Sequence, residues 1–171
     1  MKGYRVVYLL LAASLLPPPA HAGSCNPHAQ RRVVKGPQPT ANTLYAHIQH
    51  VGAGSWQAGF DTETFVYVGD VHAKSGKIYK IGHLKTLALR DCTPFQRLFI
   101  FDAKDHYLGQ YAPVEVDPKR IMIQGTELVF PFRKNDGNTL DLKDGPPVKT
   151  RLDGDDIGWE PAPDPGTAPP P

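Results

Sequence analysis

Apolar and polar positions alternate most densely between Phe65 and Tyr111, and the rest of the chain is arranged around that stretch. Phe65–Ala73 and Lys77–Thr86 are rich in β-branched and aromatic residues, which suit a pleated, half-buried surface. Ser75-Gly76 separates them, and glycine supplies the positive φ of a tight turn. The spacing predicts a hairpin with a two-residue loop, in which Ala73 faces Ile78 and Gly69 faces Gly82. One face then carries Phe65, Tyr67, Val71, Ala73, Ile78 and Leu84. The other, mixed face carries Val66, Val68, Asp70, His72, Tyr79, Ile81, His83 and Lys85. A three-residue loop with a bulge would slip this pairing by one residue.

A second hairpin joins Arg97–Phe101 to His106–Tyr111 across Asp102-Ala103-Lys104-Asp105, whose aspartates favour a turn. Leu98, Ile100 and Leu108 are expected on one face, and Phe99, Phe101, Tyr107 and Tyr111 on the other. With both faces apolar, this pair belongs in the middle of a sheet covered on both sides. Gly109 leaves room for an aromatic ring from a neighbouring position.

Upstream the period lengthens. Leu44, Tyr45, Ile48 and Val51 recur at spacings of three and four, which predicts a helix over Ala41–Val51. Thr40 or Asn42 can cap its start and Gly52 ends it. Asn26–Thr40 is polar, contains Pro37 and Pro39, and reads as a leader loop. Downstream, Lys119–Gln124 and Thr126–Phe132 read as strands, with Pro131 assigning the second to a sheet edge or a bulge. Asn135–Asn138 reads as a turn and Thr139–Leu142 as a last short strand. Residues 153–171 are acidic and proline-rich and read as a disordered tail.

The amino-terminal pattern adds a compartment. Met1–Arg5 is basic, Val6–Leu16 is an apolar run too short to span a bilayer, and Ala20-His21-Ala22 fits a small-x-small cleavage site. Residues 1–22 are therefore read as a secretory signal, followed by one domain over 23–152. Acylation of Cys25 is the competing reading, but Ala22-Gly23-Ser24 lacks the large aliphatic residue of such a site. Cys25 and Cys92 are the only thiols of the chain, and two cysteines in an oxidising compartment are expected to pair.

Charge removes one function class. Without Lys2 and Arg5 the chain has 17 basic and 17 acidic residues, and a neutral protein lacks the cationic face that nucleic-acid binding needs. The pattern implies no cofactor and no transmembrane segment. Asp70, His72 and His83 on one hairpin face, with His106 nearby, could hold a metal or act as a base. Their spacing matches no metal motif, and surface histidines are the plainer reading. Asp136, Asp141 and Asp144 resemble calcium-loop composition, but the ligand spacing and closing glutamate are missing, so turn chemistry explains them.

Ser75-Gly76-Lys77-Ile78-Tyr79 resembles the Ser-Gly-x-x-Tyr loop that periplasmic lysozyme inhibitors insert into the lysozyme cleft. The second motif of the c-type family, Tyr-x-x-x-Thr-Lys-Gly, is absent, and an ordinary hairpin turn accounts for the same letters. The order of helix and meander resembles cystatin-like architecture, which implies a fold and no function.

These readings converge on an α+β domain: one amino-terminal helix packed on a curved antiparallel sheet of about six strands, with one disulfide and a disordered carboxy-terminal tail. The expected function is that of an exported, non-enzymatic module that binds another protein, in the manner of an inhibitor or immunity factor. Asp70, His72, Ser75, Tyr79, His83 and Tyr107 are the expected contact residues. The alternatives are an exported hydrolase or metal-dependent protein built on Asp70, His72 and His83, and an envelope structural component.

Overall fold

The apolar stretch that dominates the sequence becomes the middle of a seven-stranded sheet. The computed structural model describes residues 33–51, 60–88, 93–132 and 138–163. The expected signal segment, Cys25, Cys92 and the turn before Asn138 lie outside the described residues.

Strand β1 (Val33–Lys35) precedes helix α1 (Thr40–Val51), and β2 (Phe60–His72), β3 (Ile78–Ala88), β4 (Pro94–Phe101) and β5 (Tyr107–Tyr111) follow as a meander. A 3₁₀ turn at Pro118–Arg120 leads to a small sheet of β6 (Met122–Gln124), β7 (Glu127–Val129) and β8 (Thr139–Asp141). β9 (Lys149–Leu152) and β10 (Asp155–Pro161) return to the large sheet, whose order is β1-β2-β3-β4-β5-β10-β9. β1 runs parallel to β2, so the sheet is mixed and not wholly antiparallel.

The helix lies on one face of the large sheet and the small sheet on the other. Leu44 and Ile48 of α1 pack with Phe65, Leu84, Phe99 and Phe101. On the opposite face Val71, Tyr79, Ile81, Leu98, Ile100 and Tyr111 pack with Leu128, Phe130 and Leu140 of the small-sheet region. β4 is thus buried on both faces, as its double apolar pattern requires. His47 Nδ1 lies 2.6 Å from the Asp105 carbonyl, and Lys80 pairs with the Asp105 carboxylate. One residue of the β4–β5 turn thereby ties helix to sheet.

Several expectations are corrected. The first hairpin turns through three residues: Ala73 N–H donates to Lys77 O at 2.9 Å, and Gly76 takes a φ of 80°. Val71 then pairs with Tyr79, Gly69 with Ile81, and Tyr67 with Gly82. Val68 is an extra residue between Tyr67 and Gly69, and this bulge reverses the phase of β2. Phe65 and Val71, expected on one face, therefore lie on opposite faces.

The second correction has the same cause. A register shift beside Leu108 separates Tyr107, which pairs with Phe101, from Tyr111, which pairs with Leu98 on the other face. The third is β1, which lies within the expected leader loop; a three-residue strand is too short to show a period.

The fourth concerns the tail. Residues from 153 were expected to be disordered, yet β10 pairs with both β5 and β9. Asp153 and Gly154 take φ values of 52° and 89°, the two positive dihedrals that a tight hairpin turn demands. Ile157 and Trp159 then alternate onto the core face. The prolines and acidic residues mask that alternation in the sequence. Residues 164–171 lie outside the described residues. β7 is the central strand of the small sheet, not an edge, and ends at Val129 before Pro131 can interrupt its ladder.

Candidate binding surface

The six expected contact residues do not converge. Asp70 is exposed and accepts a 2.7 Å hydrogen bond from the Tyr67 hydroxyl. Burial, that hydrogen bond and the Asp70 and Asp105 charges push the Tyr67 phenol well above its ordinary pKa. His72 is exposed and pairs with Ile78 near the hairpin end, and Ser75 is exposed in the turn. Tyr79 is only 4% exposed and belongs to the core facing the small sheet. Tyr107 is half-buried between Phe99 and Phe101, at ring distances of 5.6 and 5.9 Å.

His83 is the most displaced of the six. It is 1% exposed, with Nε2 3.4 Å from the Val114 carbonyl. Burial pushes its pKa down to about 4, against smaller raising effects of Val114, Asp117 and Gln96. Alternation along the ladder turns His83 to the face opposite Asp70 and His72. A shared Asp70/His72/His83 site is therefore not assembled. Among the described residues no group of three or more His, Cys, Asp or Glu is placed to hold a metal ion. Asp141 accepts from the Lys143 amide at 2.9 Å and the Thr126 hydroxyl at 2.8 Å, which is turn chemistry.

The hairpin tips meet elsewhere. The β2–β3 turn and the β4–β5 turn flank a groove of about 650 Å³, closed on its third side by Pro146 and Trp159. Tyr79, Ile78, Leu108 and Trp159 supply its apolar surface. Ile78, Leu108 and Trp159 remain partly exposed, while Tyr79 is packed from beneath. Its rim carries Lys77, Lys104, His106 and Asp102.

That rim is held in shape by the turn itself. The Asp102 carboxylate accepts from the Lys104 amide at 2.8 Å, the His106 amide at 2.9 Å and the His106 ring at 2.9 Å. Burial pushes the Asp102 carboxyl up, but the His106 and Lys104 hydrogen bonds outweigh it and hold its pKa below the usual range. With Asp102 engaged by His106, Lys77 and Lys104 set the outward charge of the rim.

Of this groove, sequence reasoning found Tyr79 and missed Leu108, Pro146 and Trp159. The Ile157-Gly158-Trp159 alternation after Asp153-Gly154 is the signal that could have found Trp159. No family model matches the chain, and no curated protein or solved structure matches it. Among the described residues no helix is long and apolar enough to cross a membrane.

Proposed function

We propose that this chain is an exported, non-enzymatic module of the periplasm or exterior that binds another protein, in the class of inhibitors and immunity factors. The observation that carries this reading is the groove between the two hairpin turns. Its surface sets the partly exposed Trp159 beside Ile78 and Leu108, over the buried Tyr79, and a desolvated tryptophan is a common interface anchor. Its rim lysines favour a partner that presents acidic residues around an apolar anchor. The Met1–Ala22 pattern supports export.

A Cys25–Cys92 bridge belongs to the same proposal. β1 runs parallel to β2, so the chain enters β1 from the end of the sheet where Phe60 pairs with Ala88. Cys92 follows Ala88 by four residues, and Cys25 precedes Val33 by eight. What supports their pairing is that they are the only two thiols of a chain read as exported to an oxidising compartment.

The test begins with full-length chain expressed with its leader and tagged at the carboxy terminus. Proteins retained from the envelope and secreted fractions are identified, remade in pure form and titrated against wild type and Lys77→Glu/Lys104→Glu. Both lysines are exposed. Affinity for an authentic partner should fall by about tenfold or more in the variant. Equal affinity of wild type and variant for every purified candidate removes the groove from the reading.

A further inference from the structure

The groove between the two hairpin turns is narrow. The β2–β3 and β4–β5 hairpins are neighbours in one sheet, so their turns stand two strand spacings apart, about 10 Å. Pro146 and Trp159 close the third side, and the space between is about 650 Å³, the scale of a site that encloses a small ligand. A flat partner surface would rest on the turns and leave Leu108 and Trp159 untouched. A single extended chain, which lies about 5 Å from its neighbours, enters a gap of that width.

The charges on the walls set what such a chain must carry. Lys77 stands on one wall and Lys104 on the other, both exposed. Neither makes an ion pair among the described residues, whereas Lys80 is held by Asp105. Asp102 is the one carboxylate among the described lining residues, and it is engaged by the Lys104 amide, the His106 amide and the His106 ring. The opposite turn, Lys74-Ser75-Gly76, brings no carboxylate. An extended chain rises about 3.3 Å per residue, so carboxylates three residues apart are matched to cations on turns about 10 Å apart. Of the two residues between them, alternation directs one towards Leu108 and Trp159.

We propose that the groove takes an extended segment of the partner that carries acidic residues at positions i and i+3 with two apolar residues between them. This rests on the reading of the groove as a protein-binding surface, and it adds that the partner offers a protruding chain and not a flat face.

Acetyl-Gly-Asp-Leu-Phe-Asp-Gly-amide is titrated into the full chain and followed by NMR at the Leu108 methyls, the Trp159 indole and the Lys77 and Lys104 amides. The shifts should saturate with a dissociation constant below about 1 mM. Three control peptides should each bind about tenfold more weakly or not at all: one with both aspartates replaced by lysine, one with Leu-Phe replaced by Ser-Ser, and one with the aspartates adjacent, acetyl-Gly-Asp-Asp-Leu-Phe-Gly-amide. Lys77→Gln/Lys104→Gln should weaken binding of the first peptide by about tenfold and leave the thermal midpoint unchanged. The proposal is overturned if the first peptide does not saturate these shifts, if any control binds as tightly, or if the lysine variant leaves affinity unchanged. A purified partner that loses affinity for Lys77→Glu/Lys104→Glu while the peptide fails to bind removes the extended segment and keeps the groove as a binding surface. A partner indifferent to that variant removes both.

Discussion

The Trp159 ring packs on Tyr111 at a centroid distance of 4.9 Å and an interplanar angle of 52°, and it closes over Gly109. Tyr111 is itself fully buried and donates its hydroxyl hydrogen bond to Pro147 O at 2.8 Å. Trp159 N–H donates to Val148 O at 2.9 Å, and Ala162 N–H to Leu108 O at 2.8 Å. The carboxy-terminal hairpin is therefore part of the large sheet. Deleting residues 153–171 should abolish the cooperative thermal transition or lower it by many degrees, because it removes Ile157 and Trp159 from the core and exposes β5 as an edge. An unchanged melting curve for the truncated chain would show that β10 is dispensable.

Gly109 tests the same packing without shortening the chain. A Cβ there would collide with the Trp159 ring and with the Glu160 carbonyl, at a φ of 151° that L-residues rarely adopt. Neither obstacle is a flexible side-chain tip. Gly109→Ala should destabilise by about 2–4 kcal/mol in urea unfolding, and Trp159→Ala, a partly buried ring, by about 2–3 kcal/mol. In the double variant the ring is gone, so the costs should fall short of additivity. Strict additivity would show that the alanine does not meet the ring.

Tyr79 gives the opposite outcome from that of a surface anchor. Its ring faces the small sheet beside Val71 and Ile81, and burial raises its phenol pKa. Tyr79→Ala should cost about 3 kcal/mol and lower the thermal midpoint by several degrees or more. Differential scanning calorimetry of the purified variant measures this. A midpoint equal to wild type would return Tyr79 to the surface.

What the sequence made legible follows from how locally each feature is encoded. Helix α1 was readable because Leu44 and Ile48 repeat at helical spacing inside twelve residues. The double-sided burial of β4 was readable from Leu98–Phe101 alone. Room for a ring at Gly109 was also legible, although the ring comes from Trp159, fifty residues later. Faces were not legible. The extra residue Val68 and the shift at Leu108 each exchange the two sides of a strand, and no residue type announces them. The three-residue turn over residues 74–76, in place of a two-residue loop, separated Asp70 and His72 from His83 and put Tyr79 on the core face beside Val71. The groove was illegible for a related reason: it draws side chains from segments far apart in the chain.

His83 gives the protein a stability profile in mild acid whose sign is fixed by its burial. Its pKa falls from 6.5 to about 4 on folding. Between those values the unfolded chain takes up a proton that the folded chain refuses, so stability declines as pH falls from about 6.5 to about 4. Below that window both states are protonated and the contribution is exhausted. The full loss is about 3 kcal/mol, at 1.36 kcal/mol per pKa unit, a large share of an ordinary domain's stability. Asp102 and Asp141 act lower on the scale. Their folded pKa values lie below the ordinary 3.8, so their stabilisation is present above that pH and is lost only as pH falls further. Urea unfolding of wild type and His83→Gln from pH 7.5 to 4 should therefore give a flatter profile for the variant, whatever its stability at pH 7.5. Parallel profiles across that range would mean that His83 takes up its proton without unfolding the protein, and is more open to water than its contacts with Val114 and Leu98's strand imply.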